Sequence, residues 1–180
     1  ETTDIDPIHA ELVGMSFSYA ENQAFYVPVP AERDEALKIV NEFKEIFENE
    51  QTLKVGQNIK YDILALSNYG IHVKGTMFDT MIAHYIIAPE LRHNMDYLAE
   101  VYLKYQTIHI DTLIGSGKKQ RSMHELAPQE VYEYAAEDAD VTLKLKNILE
   151  RELKDKGLFR LFDEIEMPLV PVLARMEMNG

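Results

Sequence analysis

The alternation of apolar and polar positions changes period along the chain, and each change predicts an element. Residues 12–19 are apolar and partly alternating, 20–23 are turn-like, and 24–29 resume the alternation. Two such runs around a four-residue connection predict an antiparallel hairpin, and Pro28 and Pro30 mark a strand ending at a sheet edge. The period then lengthens. Leu37, Val40, Phe43 and Phe47 recur at three- and four-residue steps, Ile39 and Ile46 widen the stripe, and Arg, Lys and Glu fill the other side. That pattern predicts one amphipathic helix over 33–48. Short strands are expected at 53–57 and 76–78, with a helix over 60–68 that Gly70 closes. Asp79 is placed to cap a helix running through Ile87. Residues 95–103 read as helical, 104–126 are the least regular, and 115–119 predict a mobile loop. Pro128 suits the first turn of a long helix to about Lys156, which Gly157 punctuates before a further helical stretch over 158–178. The order of hairpin, helix, strand, helix, strand and helices predicts an α/β fold, a mixed sheet flanked by helices.

Composition narrows the class. A length of 180 residues suits one domain, and 46% hydrophobic content is enough for a core. The 18 Lys and Arg against 31 Asp and Glu leave a net charge of −13, which argues against a protein that coats duplex nucleic acid with a basic face. An enzyme that gathers carboxylates around metal cations is still compatible with that charge. The absence of Cys excludes disulfides, thiolate metal sites and a Cys nucleophile, and fits a cytoplasmic protein. No apolar run is long enough to span a membrane, and the polar opening is not that of a signal peptide.

Among so many acids, most are surface groups; three places stand apart. Asp62 follows a strand across a polar turn, at the start of a helix. Strand ends of this kind line the ligand crevice of α/β sheets, although an acid in a first helical turn also simply complements the dipole. Tyr134 and Asp138 are four residues apart on one face of the long helix, with Ala135 and Ala136 between them allowing close approach to a sheet. They read either as a core tyrosine with an acid at the rim, or as a functional pair. Glu1, Asp4 and Asp6 form an acidic cluster whose spacing alone means little. Carboxylates from distant segments beside a phenol suit two hard divalent cations, Mg²⁺ or Mn²⁺, and in-line phosphoryl displacement.

Several longer segments carry a resemblance. They are Glu11 with 12–17, Lys54 through Asp62 (Lys-Val-Gly-Gln-Asn-Ile-Lys-Tyr-Asp), Phe78-Asp79-Thr80-Met81, Arg92-His93-Asn94-Met95-Asp96, the stretch 134–143 and the stretch 165–173. Together the whole chain resembles the 3′–5′ proofreading exonuclease domain of bacterial family-A DNA polymerases, truncated at its amino end. The resemblance implies a ribonuclease H-like fold whose first strand is largely missing. It divides the chain into an exonuclease domain over 1–163 and, over 164–180, the start of the linker and helix leading to the polymerase domain.

The resemblance also implies roles. Glu1 matches the Glu of an Asp-x-Glu motif, Asp62 the second acid, and Tyr134 with Asp138 the Tyr-x-x-x-Asp motif. Glu1 and Asp138 would ligate the tightly held metal, Asp62 would serve the second partly through water, and Tyr134 would orient the nucleophilic water. Contacts to the 3′-terminal nucleotides map onto Gln57, Asn58, Tyr61 and Arg92, and a wedge against the terminal bases maps onto Ile5. The Asp of the first motif would lie two positions before Glu1 and is absent from the sequence, so this fragment is expected to cleave little or not at all. The implied partners are the single-stranded 3′ end of DNA and a polymerase domain of the same parent chain, in a monomer without membrane contact, in a bacterial cytoplasm near the nucleoid. Two rivals remain: a non-catalytic spacer supporting a polymerase, and a related RNA-trimming exonuclease.

Overall fold

The protein is described by a computed structural model covering residues 1–115 and 121–180. The expected loop at 115–119 lies, apart from Gly115, outside the described residues. Strands β1 (Gly14–Ala20) and β2 (Gln23–Pro28) form the expected antiparallel hairpin, from Gly14 opposite Pro28 to Ala20 opposite Gln23. The connection is tighter than expected. Asn22 takes a left-handed conformation (φ 64°), which Asn tolerates, and the chain reverses over Glu21 and Asn22. The opening segment runs antiparallel to the start of this hairpin. Thr2 bridges to Leu12, and Val13 N donates to Glu1 O at 2.9 Å.

The single helix expected over 33–48 is two, α1 (Arg33–Glu42) and α2 (Lys44–Glu48). The cause is Phe43, whose ring stacks on Phe17 of β1 at 5.1 Å; the reset at this residue also keeps Phe47 on the same ring, at 5.8 Å. Ile46, read as part of the buried stripe, is exposed as a result. Next come β3 (Lys54–Gly56), α3 (Ile59–Ser67), β4 (Met77–Asp79) and α4 (Thr80–Ile87). β3 and β4 pair in parallel, with Gly56 opposite Asp79. Among the described residues the strands form two two-stranded ladders, one antiparallel and one parallel, the mixture expected. The Thr2 hydroxyl hydrogen-bonds the Tyr61 hydroxyl of α3, so the opening segment ties the hairpin to the β3–α3 unit.

The stretch 95–103 is a short helix α5 (Met95–Leu98) that widens into a π-turn (Ala99–Leu103), and α6 (Ile110–Ile114) lies inside the region read as irregular. Helix α7 (Pro128–Asp155) has 28 residues and is therefore about 42 Å long. Pro128 occupies its first turn, and Glu130 Oε2 accepts from Ala127 N at 2.8 Å. This helix is the spine of the molecule. Val131 and Ala135 pack with Val13 and Met123, while Val141, Leu145, Leu149 and Leu153 pack with Ile63, Phe78 and Leu98. The stretch 158–178 is helical but interrupted, as α8 (Phe159–Leu161), a π-turn (Phe162–Glu166) and α9 (Met167–Met178). Pro168 and Pro171 lack the N–H groups that would close regular turns here, which favours the wider spacing.

Candidate active site

Three segments far apart in sequence deliver acids to one place. Glu1 is held by main-chain pairing, with Glu1 N donating to Gly14 O at 2.8 Å. Asp62 lies in the first turn of α3, its carboxylate resting on Gly56 at the end of β3. A Cβ at position 56 would stand 3.3 Å from Asp62 Oδ2 and 3.0 Å from Ile59, so any larger residue here would crowd the acid and the head of α3. Asp138 projects from the middle of α7, half-buried, one turn beyond Tyr134. Val131, Ala135 and Val141 hold that stretch of α7 against the core, which is why Tyr134 and Asp138 face inward.

The electrostatics show that these groups feel one another. Burial pushes the Asp138 carboxyl up to about 8; the charge of Glu1 adds to this, the Tyr134 hydroxyl opposes it, and Glu137 and Asp96 add smaller pushes. Asp62 is pushed up to about 7, first by the protein packed around it and then by the charges of Asp79 and Glu1, with the amino group of residue 1 opposing. Asp62 nonetheless keeps part of its surface open to solvent. Burial also raises the Tyr134 phenol, with Asp138 and Glu1 adding to it, so Tyr134 stays a neutral hydroxyl. Among the described residues no Lys, Arg or His side chain pairs with Glu1, Asp62 or Asp138. Nor, among them, does any group of three acids or histidines close tightly enough to hold a metal ion as it stands. Unneutralised acids repel, and a proton or a cation between them relieves that repulsion.

The five residues matched to nucleotide contacts divide in two. Ile5 is 95% exposed, and with Asn58, Tyr61 and Lys60 it lines a cavity of about 190 Å³. Tyr61 is anchored there by its hydroxyl, which also donates to Asp4 O. Asn58 is exposed in a left-handed conformation (φ 61°). Gln57 is tied down: its Nε2 donates to His93 O at 2.7 Å and its Oε1 accepts from the Thr80 hydroxyl. Arg92 is exposed on the loop between α4 and α5, beside His93.

A sequence-family model described as 3′–5′ exonuclease, of the family-A DNA polymerase type, matches residues 1–154. The chain belongs to that exonuclease family. DNA polymerase I of Pseudomonas aeruginosa is 42% identical over the whole chain, which covers 21% of that protein. The chain thus spans about a fifth of the length of the curated relatives it matches. Among solved structures, Brucella melitensis NrnC with bound Mg²⁺ has a TM-score of 0.77 at 19% identity, covering all of this chain and 83% of that one. The POL domain of Pol1 from M. smegmatis, in complex with DNA primer-template and dNTP, has a TM-score of 0.72 at 20% identity, covering 93% of this chain and 26% of that one. The architecture is that of ribonuclease H-like exonucleases.

Two acids of this exonuclease domain escaped the sequence reading in part. Asp79 was legible as the cap of α4, but it also accepts from Asn58 N at 3.2 Å and Ile59 N at 2.7 Å at the head of α3. Asp96 borders the site, adding to the shifts of Tyr134 and Asp138 while it accepts from Thr107 Oγ1 at 2.6 Å. Neither role has a signal in residue spacing, because both arise from contacts between distant segments.

Proposed function

We propose that this exonuclease domain removes mismatched 3′-terminal deoxynucleotides from single-stranded DNA ends, releasing 5′-monophosphates, as the editing part of a bacterial DNA polymerase I. The observation that carries the reading is the electrostatic convergence of Asp62 and Asp138 on Glu1, whose charge raises both, with no basic side chain paired to the three among the described residues. An oxygen-only donor set of this kind fits hard divalent cations, Mg²⁺ or Mn²⁺. Glu1 and Asp138 are assigned to the tightly held cation, and Asp62 to a second, partly through water. Two such cations, held by these acids, would polarise water and offset charge on both oxygens of an in-line displacement. The bound Mg²⁺ of the Brucella relative supports a cation in this fold.

The chain's own residues do the rest. Tyr134, kept neutral by burial and one turn from Asp138, holds the attacking water by its hydroxyl. Ile5, bare on the surface, wedges against the terminal bases, and Asn58 and Tyr61 line the adjoining cavity. Arg92 takes a phosphate. The acidic net charge is compatible with this role, because a few frayed nucleotides are gripped by stacking and cation-bridged phosphate. Residues 164–180 lead to a polymerase domain. Leu169, Val172, Leu173 and Met176 form an exposed apolar stripe on α9, which suits such a junction. Among the described residues no helix is long and apolar enough to cross a membrane. The reading places the parent protein, a monomer, in the cytoplasm near the nucleoid.

The test is digestion of a 5′-labelled single strand with Mg²⁺, comparing the chain as it stands with a version carrying an Asp two positions ahead of Glu1. The extended version shortens DNA stepwise from the 3′ end, and the unextended chain is far slower. Asp138→Ala in the extended version abolishes cleavage while circular dichroism stays unchanged. Equal rates for the two chains would overturn the expectation that this site needs the Asp of the first motif. No cleavage by the extended version with either Mg²⁺ or Mn²⁺ favours the spacer reading. Faster digestion of RNA than DNA favours the RNA-trimming one.

A further inference from the structure

One buried polar cluster lies outside the carboxylate site. His84 on α4 is fully buried, at 0% exposure, and its Nε2 has no hydrogen-bond partner. Its Nδ1 lies 2.7 Å from Nδ1 of His93. Such a contact requires that one ring carry a proton at Nδ1 and the other leave it bare. The rings of Tyr97 and Tyr102 stand edge-on to His84, at 6.2 and 5.6 Å. A buried ring with an orphaned nitrogen is costly. A leucine would fill this space with less penalty, so the Nδ1 contact needs a use.

The contact continues outward. His93 sits on the loop 88–94, next to Arg92, and its carbonyl accepts from Gln57 Nε2 at 2.7 Å. The other end of the Gln57 amide is held by the Thr80 hydroxyl, which also reaches Gly56 O at 3.2 Å. A continuous line of contacts therefore runs from α4 through His84, His93 and Gln57 to the end of β3, where Asn58 begins the nucleotide-facing turn. We infer that His84 is a positioning residue: through His93 and Gln57 it locks the 88–94 loop, and Arg92 with it, against the end of β3, so that a single-stranded 3′ end meets a preformed wall. The inference rests on the nucleic-acid reading above, and it reassigns Gln57 from touching nucleotides to bracing the loop that does.

A pH dependence follows. Burial lowers the His84 proton affinity below the ordinary value of 6.5, His93 lowers it further, and Glu152 and Glu90 oppose. Tyr97, Tyr102 and, against His93, Tyr85 complete the titratable surroundings. The singly bridged pair is therefore intact at neutral pH and is lost only as the pH falls through the lowered His84 value, where both rings would carry the proton.

The experiment is fluorescence anisotropy of the chain with a labelled single strand of about ten nucleotides, with Ca²⁺ present to suppress turnover. His84→Leu weakens binding about three- to tenfold with no fall in Tm, because the loop must then be ordered by the ligand. His84→Asn, whose amide reaches the Nδ1 position, restores most of the affinity. His93→Leu, at a half-exposed site, weakens binding equally, the double variant is no worse than either single one, and it carries the test should His84→Leu fail to fold. The loss of affinity that the parent shows as the pH falls through the lowered His84 value is absent in both Leu variants. Undiminished binding by folded His84→Leu, or by His93→Leu, overturns the inference and leaves the nuclease reading standing. A parent chain that holds no single strand at any pH sinks the nucleic-acid reading first, and the inference with it.

Discussion

Asp79 at the end of β4 and Asp138 in the middle of α7 are both partly or wholly withdrawn from water, yet the protein treats them in opposite ways. Asp79 is 1% exposed, and its carboxylate accepts from four backbone N–H groups: Asn58 and Ile59 at the head of α3, Met81 and Ile82 at the head of α4. Burial pushes its carboxyl up while those donors pull it down, the balance remaining upward. Among the described residues Asp138 has no backbone donor in its favour. The Tyr134 hydroxyl lowers its carboxyl, against burial and the charges of Glu1, Glu137 and Asp96. The first acid is satisfied by the fold, and one side chain closes two helix ends beside a parallel strand pair. The second is not satisfied by the fold, and the proposed function gives it a cation. Burial and an upward shift alone do not mark a functional acid; the identity of its partners does.

The comparison breaks most visibly if Asp79 is removed. Asp79→Ala orphans four N–H groups at two helix ends and is expected to cost about 3 kcal/mol in urea unfolding. A loss below about 1 kcal/mol would mean the double cap holds little, and Asp79 would then join the candidate site instead.

How far the sequence could show this depends on whether the cause is local. The hairpin, the strands around Val55 and Phe78, and helices α3, α4 and α7 follow from periodicity and caps, and all lie where the pattern put them. The break at Phe43 was invisible, because it depends on Phe17, a residue about two dozen positions away that the ring stacks upon. Tyr134 and Asp138 were legible as a pair because a helix fixes what lies four residues on. Their approach to Glu1 and Asp62 is set by the packing of α7 on the hairpin and by the tie from Thr2 to Tyr61. No spacing rule reports such contacts, and family resemblance supplied the join. The Gln57 brace shows the limit of that route: a matched residue keeps its place while its amide is taken up by His93 and Thr80.

Asp138→Asn sharpens the contrast from the other side. A carboxyl raised from 3.8 to about 8 penalises the folded state whenever it is ionised. Its favourable state is fully present below the unfolded value of 3.8 and is lost as pH rises through about 8. The cation-free parent should therefore lose stability across that window, and Asp138→Asn should flatten the curve. At pH 8.5 the variant is expected to be about 2 kcal/mol more stable than the parent, discounted for partial solvent access. Unfolding curves at pH 5 and 8.5 check this, and a variant less stable than the parent at both would assign Asp138 a structural role like that of Asp79.

Divalent cation should reverse the same pH trend. At pH 8, Mn²⁺ at tenfold its dissociation constant adds about 1.4 kcal/mol to the stability of the parent. Asp138→Asn removes most of that gain, whereas Asp96→Asn, whose acid is already engaged by Thr107, keeps it. Thermal melts with and without Mn²⁺ read this out. An equal gain in all three proteins would place the cation elsewhere.

The smallest effect belongs to Tyr134→Phe. The phenol is half-buried and burial keeps it neutral, so loss of its oxygen should change stability by less than about 1 kcal/mol. The informative change is in Asp138. Without the hydroxyl that stabilises its ionised form, the carboxyl should titrate above the parent's value of about 8. The pH at which Mn²⁺ begins to stabilise the fold should then move upward, because the cation competes with that proton. In the extended version, Mn²⁺ still binds while cleavage falls, which separates holding a cation from holding water. A Phe variant that cleaves at the parent rate with an unmoved pH profile would show that the hydroxyl serves only the packing of α7, and the comparison would then rest on the acids alone.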